Sequence, residues 1–125
     1  MSDTGRSSSP TTSLPWVRTA ADLPWPSTRR RPELWTIDGH ELVVHARSCL
    51  KLRKEAVEMM SPDRVLLLWS WPDGDPERSR VYAFSHAELH EAWGHHMSQP
   101  CFDRERHFSF TTEQRKFDPY IVRRL

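Results

Sequence analysis

The chain has 125 residues, with 18 Lys and Arg against 17 Asp and Glu and a formal net charge of +1. That length supports one domain rather than two, and the balanced charge excludes a global field of either sign that would by itself announce nucleic acid, an acidic substrate or a membrane surface. Any charged partner has to be met by a local patch.

Most of the basic residues are arginine, with Lys51, Lys54 and Lys116 the only lysines. That bias suits a bacterial genome rich in G and C, or a phage or plasmid carried in one. Met1 to Pro15 is mostly Ser, Thr, Gly, Asp and Pro, with too little apolar surface to offset the entropy of ordering it, so a disordered tail is expected. It has no apolar stretch of the kind a signal peptide needs, and no later run is long enough to span a bilayer, which points to a cytoplasmic protein. From Leu14 to Pro32, prolines at 15, 24, 26 and 32 oppose a long helix, while Trp16, Val17, Leu23 and Trp25 are costly to leave in water. Residues 1–32 therefore read as a tail and an extended Pro-rich arm, and 33–125 as the folded domain.

Leu34-Trp35-Thr36-Ile37 and Glu41 to His45 flank Asp38-Gly39, a two-residue turn in which both positions tolerate positive φ, so a hairpin is expected. Cys49, Leu52, Ala56, Met59 and Met60 then recur at helical spacing, and Ser61-Pro62 ends that helix. Lys51 with Glu55 and Lys54 with Glu58 stand four apart and would support its exposed face. Val65 to Leu68 is a run of four aliphatics, the composition of a strand buried on both faces. Pro72 to Pro76 reverses the chain, and Val81 to Phe84 supplies the antiparallel partner. Ser85 with Glu88 forms a capping box that opens a second helix, whose apolar face is Leu89, Trp93 and Met97. Ser98-Gln99-Pro100 breaks the chain. His107 to Thr112 alternates as a further strand, and Phe117 to Val122 gives a short extended end with Arg123 and Arg124 in solvent. The echo between Leu34-Trp35-Thr36-Ile37-Asp38-Gly39 and Leu68-Trp69-Ser70-Trp71-Pro72-Asp73-Gly74, whether chance or duplication, predicts one sheet covered by two helices on one face. The expected fold is thus α+β: a single small domain in ββαββαβ order with a mainly antiparallel sheet.

Catalytic patterns are sparse. Cys49 falls on the apolar stripe of the first helix, where cysteine acts as a small hydrophobe; Cys101 follows a proline and has only His107 as a nearby base in sequence. His86 and His90 stand four apart on one helix face, a spacing that can share zinc or another divalent metal with a third ligand such as His45 or His107. A metalloprotease helix is excluded. In His90-Glu91-Ala92-Trp93-Gly94-His95 the second histidine is five residues on, about 140° from the required face, and in His86-Ala87-Glu88-Leu89-His90 the glutamate is one place late. No Asp-x-Lys or Glu-x-Lys is present to hold a nuclease magnesium; Glu113-Gln114-Arg115 is the nearest arginine version, with Asp38 and Glu41 as remote acids. The four glycines, 5, 39, 74 and 94, do not cluster, so a phosphate-cradling loop is excluded.

Binding without catalysis and without a cofactor is therefore the expected function, with a protein partner the first expectation and nucleic acid the second. Trp16, Trp25 and Trp71 with Arg29, Arg30 and Arg31 are the docking candidates, because Trp and Arg dominate interface energetics. Arg47, Lys51, Arg53 and Lys54, with Arg123 and Arg124, are candidates for phosphate contact. The alternative is a small metal-dependent nuclease or hydrolase using His86 and His90.

Overall fold

The Asp38-Gly39 turn adopts the backbone its chemistry favours. Their φ angles are 51° and 80°, the left-handed pair that matches the twist of a hairpin, and Ile37 pairs with His40 across it. In the computed structural model, which describes residues 10–24, 30–71, 75–110 and 114–124, this hairpin joins β1 (Arg30–Ile37) to β2 (His40–Arg47). After it come β3 (Leu50–Arg53), α2 (Lys54–Met59), β4 (Arg64–Ser70) and β5 (Arg80–Ser85), the whole preceded by α1 (Pro15–Ala21). α3 (His86–Met97), α4 (Pro100–Glu105), β6 (His107–Phe110) and β7 (Ile121–Arg124) complete the chain.

β1, β2, β4, β5 and β7 form one sheet in that order, and β3 pairs with β6 in a separate two-stranded ribbon. Every pairing is antiparallel except that of β2 with β4. The exception follows from connectivity: β2 reaches β4 through β3 and α2, a crossover long enough to bring the chain back in the same direction. The aliphatic run Val65 to Leu68 lies in the interior strand β4, with relative exposures of 6, 0, 0 and 1%. Burial on both faces explains why it carries no alternation.

Each face of the sheet has its own core. Val43, Leu66, Leu68, Tyr82 and Phe84 meet Ala56 of α2, Leu89 and Trp93 of α3, Phe102 of α4, and Leu50 and Leu52 of β3. The two expected helices thus share one face. On the opposite face Leu42, Val44, Ala46, Leu67, Trp69 and Ala83 are covered by Val17, Ala20 and Ala21 of α1. Burying each such aliphatic contributes about 1.5–3 kcal/mol before entropy is charged against it.

The capping box of α3 forms in full: the Glu88 amide donates to Ser85 Oγ at 3.1 Å, and the Ser85 amide donates to Glu88 Oε1 at 2.9 Å. Ser85→Ala should lower stability by about 1 kcal/mol. Urea unfolding monitored by far-UV circular dichroism checks this; an unchanged midpoint would mean that packing of Leu89 and Trp93 alone positions the helix.

Several expectations change. The extended end expected over 117–122 is a 3-10 helix over Arg115–Tyr120 followed by β7, and β3 with β6 lies outside the one expected sheet. The extended arm is, over Pro15–Ala21, a helix: Pro15 sits in its first turn, where the missing amide costs nothing, and Val17, Ala20 and Ala21 place a narrow apolar stripe on the sheet. Prolines at 15 and 24 forbade a long helix but left room for this short one. The first expected helix begins only at Lys54, because Leu50 and Leu52 satisfy a two-residue period as well, and pairing with Phe110 and Phe108 decides the matter. Lys51 is consequently on a strand, and Lys54 binds Asp103 rather than Glu58, which instead meets Arg106 at 3.5 Å. Cys101 lies on α4, not in a loop. Finally, Arg123 and Arg124 are not a loose end: they pair with Val81 and Arg80 in the sheet, Arg123 partly buried and Arg124 exposed as expected.

Candidate nucleic-acid interface

Strand register sets up the most distinctive charge arrangement. Arg47 of β2 pairs with Ser70 of β4, Ser70 with Arg80 of β5, and Arg80 with Arg124 of β7. The row crosses four neighbouring strands, so it spans about 14 Å of backbone at the usual strand spacing. Arg47, Ser70 and Arg80 alternate in phase with Val43, Leu68 and Tyr82, and therefore belong to the face that carries α2 and α3. Arg124 lies directly opposite Arg80 and shares that face.

β3 adds to this end of the molecule. Leu50 and Leu52 turn inward, which puts Lys51 and Arg53 on the outer side of the ribbon, opposite Ser109 and His107 of β6. His45 of β2, which meets the Lys51 backbone, is only 1% exposed, and its Nε2 has no hydrogen-bond partner. Desolvation is the main cause that lowers its pKa from the ordinary 6.5 to about 3; Arg47, Arg53 and Lys51 lower it further, and a hydrogen bond with the Lys51 backbone works the other way. Among the described residues the charged groups that act on His45 are Arg47, Arg53 and Lys51. Glu55 is the carboxylate placed at this corner, 3.7 Å from Arg53 and 3.8 Å from Arg31. Arg47, Lys51 and Arg80 hold further contacts within the chain, and Arg124 lies 3.7 Å from Asp118. Three of the residues singled out for phosphate contact, Arg47, Lys51 and Arg53, are thus brought together, and Arg124 is aligned with them across the sheet.

The others are dispersed. Lys54 is engaged by Asp103. Arg123 belongs to the opposite face, donating to the Ala21 carbonyl at 3.2 Å and lying 3.7 Å from Asp22, where it fastens α1 to β7. Among the docking candidates, Trp71 is 6% exposed and part of the core on the α1 side, so it is not available to a partner; the prolines after it do not expel it, because the sheet face still has apolar surface to cover. Trp16 stacks on His40 with centroids 4.1 Å apart and planes 9° apart, and packs on the same core. The tryptophan surplus is thus partly internal packing. Arg31 remains at the surface, 81% exposed. Arg30 opens β1, and Trp25 and Arg29 lie outside the described residues.

The metal reading gains one contact. His86 and His90 face each other with ring centroids 4.8 Å apart, but among the described residues no group of three or more His, Cys, Asp or Glu side chains is arranged to hold an ion. Neither His45 nor His107 supplies the third ligand. Of the acids considered for magnesium, Glu41 accepts from Arg64 at 3.1 Å, Asp38 forms the hairpin turn, and Glu113 lies outside the described residues.

Sequence reasoning missed His45 as the centre of the basic corner and Arg80 as a member of the row. The signal for Arg80 was its place at the start of a strand beside β7, which ends in Arg124. His45 could be found only after β3 was recognised as a strand folding back over β2.

Among the described residues no helix is long and apolar enough to cross a membrane. Comparison with family models, curated proteins and solved structures finds no match.

Proposed function

We propose that this chain is a small non-enzymatic binding protein whose partner is a nucleic-acid strand, held through its phosphates by the basic end of the sheet. The observation that supports this reading is the convergence of Arg47, Lys51 and Arg53 over His45, continued across the strands by Arg80 and Arg124. Cations held at one end of a sheet attract a polyanion, whose binding gains from release of its own condensed counterions. Rigid placement on strands favours the same outcome, since less side-chain freedom remains to be lost on binding.

A labelled 20-nucleotide oligothymidylate at low salt is a suitable probe, followed by fluorescence anisotropy. The triple variant Arg47→Gln/Lys51→Gln/Arg53→Gln is expected to bind at least ten-fold more weakly with an unchanged circular dichroism spectrum. Equal binding by a folded variant would move the interface elsewhere. No binding by the wild-type protein would dismiss nucleic acid as the partner.

A further inference from the structure

We infer a proton-operated latch on the face of the sheet that carries α3: neutral His96 holds Lys116 against the aromatic side chains beside it, and protonation of His96 releases Lys116 to solvent. This device is independent of the docking proposal. Three stretches of chain meet here. α3 brings His96, β6 brings Phe108 and Phe110, and the 3-10 helix Arg115–Tyr120 brings Lys116. Lys116 Nζ lies 2.7 Å from His96 Nε2, and it stands 4.8 Å from the centroid of the Phe110 ring and 5.3 Å from that of Phe117. An ammonium has only donors, so the nitrogen it meets is the acceptor and the single ring proton of neutral His96 sits on Nδ1. The imidazole is itself fixed by rings, its centroid 4.4 Å from that of Phe108, 5.1 Å from that of Phe110 and 5.9 Å from that of Trp93.

Proton uptake turns Nε2 into a second donor and sets two positive charges at hydrogen-bond distance. The attraction becomes a repulsion. Lys116 is the side chain that moves, because its residue is exposed whereas His96 is partly buried among the rings. The remainder of the segment stays in place: Phe117 is 0% exposed, and Tyr120 Oη donates to Glu91 Oε1 at 2.7 Å. Release is therefore local, and it uncovers the face of Phe110 over which the ammonium had stood. The charged groups that act on His96 are Lys116, from the 3-10 helix, and His95, from α3, whose ring centroid is 5.5 Å away; β6 presents the uncharged Phe108 and Phe110. Burial first, then Lys116 and His95, lower the His96 pKa from the ordinary 6.5. The latch is thus closed at neutral pH and opens on acidification.

The test is an NMR titration of the full chain from pH 8 to pH 5. It reads the ring nitrogens of His96 and the two ε-methylene protons of Lys116, which differ in shift while the side chain is held and merge once it rotates freely. The expected result is an Nδ1-protonated ring at pH 8 and a Lys116 pair that merges with the same midpoint as the ring titrates. Lys116→Met should raise the His96 midpoint toward its ordinary value by about half a pH unit. In His96→Gln, which cannot titrate, the Lys116 protons should not respond to pH. An Nε2-protonated ring at pH 8, Lys116 protons that do not follow His96, an unmoved midpoint in Lys116→Met, or a wild-type response in His96→Gln would each overturn the latch. The wild-type titration decides the matter even if a variant fails to fold.

Discussion

Acidification from pH 7 to pH 4 is expected to destabilise the free protein by roughly 3 kcal/mol through His45 alone. In the folded state its pKa is lowered to about 3, chiefly by burial and then by Arg47, Arg53 and Lys51; in the unfolded chain it returns to about 6.5. Between those values the unfolded state binds more protons than the folded state, so stability rises with pH across the window. It is complete above about 6.5, declines as the pH falls below that value, and stops declining once the pH passes the folded pKa near 3. His96, lowered by partial burial and by Lys116 and His95, contributes with the same sign. The urea midpoint of His45→Gln should therefore vary much less between pH 7 and pH 4 than that of the wild type. Parallel curves for the two proteins would mean that the imidazole is charged, or solvated, in the folded state.

The second large effect belongs to Trp93. It is 0% exposed, stacks on Phe117 at 4.7 Å and 20°, and meets Phe84 edge-on at 6.4 Å. α3 is pinned to the sheet through this ring, and no smaller side chain can reach all its neighbours. Trp93→Ala should cost about 3–5 kcal/mol, the range for removing a large buried aromatic, against a total stability that for domains of this kind is about 5–15 kcal/mol. Trp93→Phe should cost less than half as much: it keeps a ring in contact with Phe117 and removes an indole Nε1 that is buried without a hydrogen-bond partner. Thermal unfolding of the two variants gives the ranking. Equal losses would imply that the indole, not aromatic contact in general, is what the site requires.

What could be read from the residues divides along physical lines. Local chemistry was legible: Asp38-Gly39 specifies its turn, Ser85 and Glu88 specify their cap, and Val65 to Leu68 declares a strand covered on both sides. These signals lie within a few residues and do not depend on the rest of the chain. Leu50 to Arg53 was ambiguous because it fits both a helical stripe and a two-residue alternation, and only pairing with His107 to Phe110, more than fifty positions away, makes it a strand. α1 was obscured by its prolines, though Pro15 occupies the one helical position where proline is harmless. The basic residues were visible as types, yet their grouping was not. Local spacing places Arg47, Lys51 and Arg53 on or beside one helix, whereas two strands bring them together, and Arg80 joins the row only through interstrand register. For the same reason Trp71 read as exposed: its local sequence is a turn, but the face it covers is set by distant strands.

Salt dependence tests the central claim most directly. If the basic end of the sheet neutralises three to five phosphates, the slope of log K against log salt with oligothymidylate should lie between about −2 and −3.5. Arg47→Gln/Lys51→Gln/Arg53→Gln should make that slope shallower by about 2 while remaining folded. A wild-type slope near zero, or an identical slope in the variant, would contradict the account: the first because phosphate contacts would then contribute nothing, the second because they would lie elsewhere on the molecule.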